Sequence, residues 1–354
     1  MSNDEIEVGL IGFGTAGRVF HVPLLRAVPG LRLAAILQRT GETASQACPD
    51  ARTVRTVGEL LSIGSLRLVV IATPTATHAE LASRCLASGR DVVVDKPFAA
   101  TAADAAALAG EADRHGLFLG VFHNRRWDGD FLTVRRLLQD HAIGRPVLFE
   151  SRFDRYRPAP KRGAWKEEAG PGGGILLDIG AHLVDQALTL FGLPDAVTAD
   201  VRIEREGAVA DDAFDIELHY PLLRVRLGAT MLAADPGPRF VVRGTDGTYL
   251  KRGFDPQEER LRDAPGVWAP AMGEDPPDRW GVLTRTPPAA AAGERVATIA
   301  GNYRGYYENV RDVLCGQAVP AVTVRQALDV MRVIDLARES SGQRRTIELP
   351  GSPV

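Results

Sequence analysis

The stretch Ile6-Glu7-Val8-Gly9-Leu10-Ile11-Gly12-Phe13-Gly14-Thr15-Ala16-Gly17 decides the fold class. A short apolar run, the length of one strand, leads directly into Gly-x-Gly-x-x-Gly. An amphipathic stretch follows to about Val28. Glycine spacing of this kind is a weak signal alone. It gains meaning when a strand precedes it and a helix follows. Each glycine then has its own task. Gly12 permits the tight turn, Gly14 lets the backbone approach a pyrophosphate, and Gly17 lets helix and strand pack closely. The anion would lie at the helix N-terminus, against free N–H groups and the positive end of the dipole. Phe13, Thr15 and Ala16 complete the predicted nucleotide turn.

Working outward, strand-like runs recur at Leu31–Leu37, Leu66–Ala72, Asp91–Val94 and Leu117–Phe122, with helical stretches at Thr77–Ala87 and Thr101–His115. Strands alternating with helices predict a doubly wound parallel sheet, the Rossmann arrangement. The pattern then changes. Val147, Phe149, Ser151 and Phe153 alternate with more polar neighbours, as do Phe214, Ile216, Leu218 and Tyr220, and Val225, Leu227, Ala229 and Met231. Period two predicts strands with one buried face, hence a large, open, mostly antiparallel sheet. A helix is predicted over about Ile175–Phe191, ended by Gly192 and Pro194. Another is predicted over about Val324–Ser340. Residues 264–300, rich in Pro, Ala and Gly, read as a long ordered loop or lid. The expected division is a dinucleotide-binding domain over 1–123 and a substrate-binding and oligomerisation domain over 124–354. A chain of 354 residues suits two domains.

Composition narrows the function. There are 42 basic and 45 acidic residues, a net charge of −3. That lacks the basic excess of an electrostatic nucleic-acid binder. The start Met1-Ser2-Asn3-Asp4-Glu5 is acidic, unlike a secretory signal. No apolar run approaches the ~20 residues of a membrane span. Cys48, Cys85 and Cys315 are widely spaced and read as reduced thiols. A cytoplasmic protein is expected, with no nucleic-acid or membrane partner. Only Lys96, Lys161, Lys166 and Lys251 are lysines; the other 38 basic residues are arginine. A lysine at a cleft position therefore draws notice.

The second strand ends Ile36-Leu37-Gln38-Arg39-Thr40. NAD sites place an acid near here for the ribose 2′-hydroxyl. This chain has none before Glu42. Arg39 and Thr40 are suited to a 2′-phosphate, so NADP is expected over NAD, although a solvated surface arginine is the simpler reading of Arg39 alone. Thr73-Pro74-Thr75 and His78 follow one strand end, and Asp95-Lys96-Pro97 follows another. Ligands of open α/β sheets bind outside the carboxyl ends of strands, which places these residues at the cleft.

Asp178, His182 and Asp185 stand at i, i+4 and i+7, on one face of an α-helix. Three readings are open. Asp178 could favour the helix N-terminus with His182 a satisfied, half-buried histidine. The three could bind a metal, although no further His/Cys cluster accompanies them and no metal is expected. Or they could be acid–base groups, for which a histidine with pKa near neutrality is suited.

These residues resemble the Gfo/Idh/MocA family of oxidoreductases, named from glucose–fructose oxidoreductase, inositol dehydrogenase and MocA. Gly12-x-Gly14-x-x-Gly17 is similar to its nucleotide turn, and Asp95-Lys96-Pro97 to its Glu-Lys-Pro motif with Asp for Glu. Asp178-x-x-x-His182 matches its catalytic Asp/His spacing. Val19-Phe20-His21, Asn124–Asp128, Phe153–Pro158, Pro171–Gly174 and Asp255–Glu258 are similar to a subgroup of NADP-dependent scyllo-inositol dehydrogenases. The resemblance implies hydride transfer between NADP and a polyol or sugar, with Lys96, Asp178 and His182 converging on one substrate oxygen where the domains meet. It also implies a homodimer or homotetramer built through the C-terminal sheet. Asn124, Arg152, Tyr156 and Trp165 are candidate substrate contacts. A dehydrogenase for another sugar derivative, a glycosidase that retains NAD, and a non-catalytic NADP-binding regulator are the alternatives. The missing acid after the second strand counts against the glycosidase, and the retained Lys96, Asp178 and His182 against the regulator.

Overall fold

Six strands assemble the first sheet. They are β1 (Ile6–Ile11), β2 (Leu31–Leu37), β3 (Arg52–Val54), β4 (Leu68–Ile71), β5 (Asp91–Val94) and β6 (Leu119–Val121). The order is β3-β2-β1-β4-β5-β6, with every neighbouring pair parallel. All four side chains of β4 are buried, and likewise all four of β5. Helices on both faces require such continuous apolar strands. The order of strands reverses between β1 and β4, the switch point at which this topology opens a crevice. The sequence reading missed β3, whose three residues Arg52-Thr53-Val54 are too few to show a period.

The computed structural model describes residues 5–170, 172–264, 266–286 and 293–349. The chain divides into two compact units. The first takes in the chain up to Asn124, Pro256–Met272 and Asn302–Leu328; the second takes in Arg125–Asp255, Gly273–Gly301 and the chain from Asp329.

The second unit holds a nine-stranded sheet. Its strands are β7 (Pro146–Arg152), β8 (Ala196–Arg202), β9 (Ala213–His219), β10 (Arg224–Thr230), β11 (Pro238–Gly244), β12 (Gly247–Arg252), β13 (Gly281–Arg285), β14 (Glu294–Val296) and β15 (Ile347–Glu348). The order is β14-β13-β12-β11-β7-β10-β9-β8-β15, antiparallel except for β7 beside β10. The predicted alternation holds. Phe149, Phe214, Ile216, Leu218, Val225 and Leu227 are buried on one face. The opposite face carries charge: Arg202 pairs with Asp200, Glu204 and Asp215, and Arg224 and Arg226 pair with Glu217.

The long loop expected over 264–300 is corrected. β13 and β14 lie inside it, with short 3₁₀ turns at Pro270–Gly273 and Pro277–Arg279. Positions 265 and 287–292 of that expectation lie outside the described residues. The region is tied to the sheet by polar groups instead of an apolar period. Lys251 is 1% exposed, and its ammonium donates to the carbonyls of Arg252 and Arg279, both at 2.8 Å, and sits 2.9 Å from the Asp275 carboxylate. Thr298 also donates to Asp275, at 2.9 Å. Among the described residues, no helix is long and apolar enough to cross a membrane.

Candidate functional site

In the first unit the candidate groups sit on loops at strand ends. The three glycines of the turn are required for different reasons. Gly12 has φ 103°, and a Cβ there would lie 2.5 Å from the Ala72 carbonyl oxygen. A Cβ on Gly17 would lie 2.3 Å from the Gly12 carbonyl oxygen. Gly14 has nothing within 4 Å of its would-be Cβ. Its backbone is open to an incoming group, and that space fits a dinucleotide pyrophosphate. Thr15 is exposed, and Phe13 and Ala16 are half-buried. The helical run after the turn opens with a widened π turn, Gly17–His21, before the α-helix Val22–Ala27.

Beyond β2, Arg39 and Thr40 are exposed. Among the described residues, no carboxylate lies within ion-pair distance of Arg39. Glu42 is already engaged: Ser45 donates to it at 2.9 Å and Arg55 pairs with it, and both hold its carboxyl below the usual range. After β4, Thr73 shares a 2.7 Å hydrogen bond with Thr77; Pro74 is exposed and Thr75 buried. His78 is 1% exposed, with Nδ1 3.0 Å from the Pro97 carbonyl and Nε2 2.9 Å from the Thr73 carbonyl. Burial pushes its pKa down. His78 therefore links the loop after β4 to the loop after β5. The second loop carries Asp95 and Lys96, both half-buried, and the Lys96 N–H donates to the Asp95 carboxylate at 2.8 Å. The Lys96–Pro97 peptide is cis.

In the second unit the groups ride on a helix. Gly174 has φ 90°, and a Cβ there would lie 1.9 Å from a carboxylate oxygen of Asp211. The glycine lets Asp211 reach the helix start, where its carboxylate accepts from the Leu176 N–H at 2.7 Å and its carbonyl from Ile175 at 2.8 Å. The helix opens with a π turn, Leu176–Gly180, and continues as Ala181–Phe191. This corrects the expectation of one unbroken α-helical face: a π turn shifts the phase, so the 3.6-residue period does not run from Asp178 to Asp185. The partners differ accordingly. Asp178 receives the Lys166 ammonium at 2.5 Å. Asp185, 2% exposed, is gripped by Arg126 through Nε at 2.9 Å and Nη2 at 2.6 Å. Next to it, Gln186 donates to the Arg125 carbonyl and accepts from Arg239, both at 2.8 Å. His182 is 4% exposed, one turn from this anchorage.

With both sets of groups in view, the chain can be set against known proteins. Residues 6–123 match the oxidoreductase family's NAD-binding Rossmann fold, and residues 135–349 match its C-terminal alpha/beta domain. The chain belongs to the Gfo/Idh/MocA oxidoreductase family. It is 44% identical to YdgJ, an uncharacterised oxidoreductase of Escherichia coli (strain K12), over 98% of this chain and 99% of that protein. It is 35% identical to the scyllo-inositol 2-dehydrogenase (NADP(+)) IolW of Bacillus subtilis (strain 168), over 98% and 96%. A solved oxidoreductase of Yersinia pestis superposes with a TM-score of 0.93 at 41% identity, covering 99% of each chain.

For a Gfo/Idh/MocA oxidoreductase, the remaining candidates fall in different settings. Trp165 lies in a 3₁₀ turn with Lys166, whose ammonium is 5.5 Å above the indole, so Trp165, Lys166 and Asp178 form one group. That turn is fixed through Glu167, which pairs with Arg205; Arg205 also binds Asp212 at 2.8 Å. Arg152 instead pairs with Asp154 at 2.7 Å and Asp215 at 2.8 Å. Tyr156 is 60% exposed, and Asn124 is 5% exposed. The sequence reading did not select Lys166. Its signal was present: a lysine in an arginine-rich chain, 12 residues before Asp178. Among the described residues, no group of three or more His, Cys, Asp or Glu could hold a metal ion.

Proposed function

We propose that this chain is a cytoplasmic NADP-dependent dehydrogenase acting on a secondary alcohol of a polyol or sugar, an inositol among the candidates. The observation that carries the reading is the capped helix of the second unit, which holds Asp178 beside a lysine and His182 one turn on. Bound NADP would supply the hydride acceptor, or the donor in the reverse direction. Gly12, Phe13, Gly14, Thr15, Ala16 and Gly17 would hold its pyrophosphate. Thr73, Pro74 and Thr75 would border it, and His78 and Asp95 would fix the loops beside it. Arg39 and Thr40 would take the 2′-phosphate, because among the described residues no carboxylate lies within ion-pair distance of Arg39, and Glu42 is held by Arg55. IolW, which acts with NADP(+), supports the same choice.

In this reading His182 takes the hydroxyl proton as the alcohol becomes a ketone. A buried imidazole is suited because its ordinary pKa lies near neutrality. Lys96 stabilises the oxygen as negative charge builds on it. Asp178, paired with the Lys166 ammonium, orients His182 or accepts from a neighbouring hydroxyl. Trp165 offers an apolar face to a sugar ring. Asn124, Arg152 and Tyr156 are proposed as further ligand contacts.

We also propose a homodimer or homotetramer through the nine-stranded sheet, on the strength of the family resemblance. The charged face of that sheet gives no hydrophobic argument for it: Arg202, Arg224 and Arg226 are paired with acids across it. Any interface there would join polar ladders around a groove of about 500 Å³ lined by Val147, Leu222, Arg224 and Arg243.

The test is a panel of polyols and sugars with NADP and NAD, followed by nicotinamide absorbance. Turnover is expected with NADP. On the best substrate, His182→Ala should lower turnover by ~10²–10⁴-fold while NADP affinity stays nearly unchanged. Lys96→Arg should also fail, because a guanidinium keeps the charge but changes the shape and cannot release a proton. Near-normal turnover of His182→Ala would overturn the assignment.

A further inference from the structure

The motif Val19-Phe20-His21 has no part in the chemistry above, yet His21 is fully buried. It ends the π turn Gly17–His21, and its ring lies tilted against Phe122 with centroids 4.5 Å apart. Its Nδ1 is 2.6 Å from the phenol oxygen of Tyr307, a buried residue of the helix Arg304–Leu314. Its Nε2 faces the Asp95 carboxylate at 3.8 Å. The same oxygen of Asp95 accepts the Lys96 N–H. A phenylalanine would fill this aromatic pocket without the cost of burying a polar ring. The polar chain therefore needs a purpose.

We infer that Tyr307, His21 and Asp95 form a buried positioning chain that holds Asp95 as an oriented carboxylate against Lys96. The inference rests on the proposed role of Lys96. The hydrogen-bond inventory sets the direction of the chain. The Tyr307 phenol stays protonated, since burial pushes its pKa well up. It can donate to Nδ1 of a neutral His21, leaving the proton on Nε2. When His21 is charged, both nitrogens carry protons and the phenol oxygen accepts. In each state an Nε2–H points at Asp95, whereas the other neutral tautomer would set a lone pair against a carboxylate. The titratable groups facing Asp95 are His21 from the π turn, His78 from the helix His78–Ala87, Lys96 beside it, and Tyr307 from the helix Arg304–Leu314, where Tyr306 in turn faces Tyr307. Burial pushes the Asp95 carboxyl up. His21, then Lys96 and His78, outweigh burial and hold it below its ordinary value.

The four lysines make a direct test possible. After reductive ¹³C-methylation, the resonance lost in Lys96→Met is that of Lys96. In the unaltered protein this resonance should show two inflections with pH: an alkaline one from the amine and an acidic one from Asp95. Asp95→Asn should delete the acidic inflection and lower the proton affinity of the amine on the order of tenfold, because an adjacent anion favours the ammonium. Asp95→Glu should restore both. His21→Phe should move the acidic inflection to higher pH, and Tyr307→Phe should do so by less. If His21→Phe folds and leaves the acidic inflection in place, or if Asp95→Asn leaves the amine's midpoint unchanged, the inference is overturned. Should His21→Phe fail to fold, Tyr307→Phe and Asp95→Asn still decide. The readout needs no substrate, so it is separate from the enzymatic reading, which turnover of Lys96→Met tests.

Discussion

The two units position their candidate groups by different means. In the first, backbone contacts do much of the positioning: a turn with no room for a Cβ at Gly12 or Gly17, a histidine bonded to two carbonyls, and a lysine whose own N–H is held by its neighbour. In the second, side chains do it: Lys166 on Asp178, Arg126 on Asp185, and Asp211 on the helix start. Backbone constraints tolerate few residue types: a Cβ on Gly12 would meet the Ala72 carbonyl of another strand end. Ion pairs tolerate more residue types but depend on a partner of opposite charge being kept. Asp185 is 59 residues from Arg126, and Asp211 is 35 from Leu176. The first unit should therefore fail through steric changes, the second through lost partners.

The largest expected effect is in the second unit. Arg126→Ala removes the guanidinium that grips the buried Asp185 carboxylate, and breaking a buried ion pair typically costs ~3–5 kcal/mol. Urea unfolding should show it. If stability falls by less than about 1 kcal/mol, the pair is not what fixes the helix, and the contrast between the units weakens.

A smaller effect is expected at the glycine turn, where two neighbouring substitutions should separate. Gly12→Ala meets a carbonyl in a left-handed conformation and should destabilise by ~1–3 kcal/mol. Gly14→Ala meets nothing and should leave the melting temperature nearly unchanged, yet weaken dinucleotide binding because the open backbone is covered. Equal melting temperatures for the two variants would break the claim that the glycines act differently.

The smallest effect concerns cofactor choice. Arg39→Ala should weaken NADP roughly tenfold, about 1.4 kcal/mol, and leave NAD little changed, as for one charge-assisted contact to phosphate. Titration of both nucleotides would show it. Equal loss for the two would assign Arg39 a role other than reading the 2′-phosphate.

The same contrast explains what could be read in the sequence. The parallel sheet was legible because its strands are continuous apolar runs such as Val92-Val93-Val94, punctuated by glycines at fixed spacing. The second sheet was legible where inward residues alternate, as in Phe214–Tyr220. β3 and the pair β13 and β14 were not, because three to five residues carry too little period and Lys251 replaces apolar burial. At the candidate site, the placing of Lys96 after a strand followed from topology. The pairing of Asp178 with Lys166 did not, because it depends on a turn whose geometry is set by Arg205, 38 residues beyond Glu167. The π turn beneath Asp178 was equally hidden, since Gly180 inside the helix weakens it without specifying a π turn.

The chain passes from one unit to the other after Asn124, Asp255, Met272, Gly301 and Leu328, the last inside the helix Val324–Gln343. Neither unit is thus a continuous piece of polypeptide. A fragment ending at Asn124 would contain the whole parallel sheet but lack Tyr306 and Tyr307, whose rings pack on Phe122 at 4.9 and 5.7 Å. A fragment cut there would expose that aromatic surface and lose the phenol that meets His21. Substrate preference in such a protein cannot be exchanged by splicing halves at a single junction; a chimera would have to carry three separate segments together, or the change must come one side chain at a time.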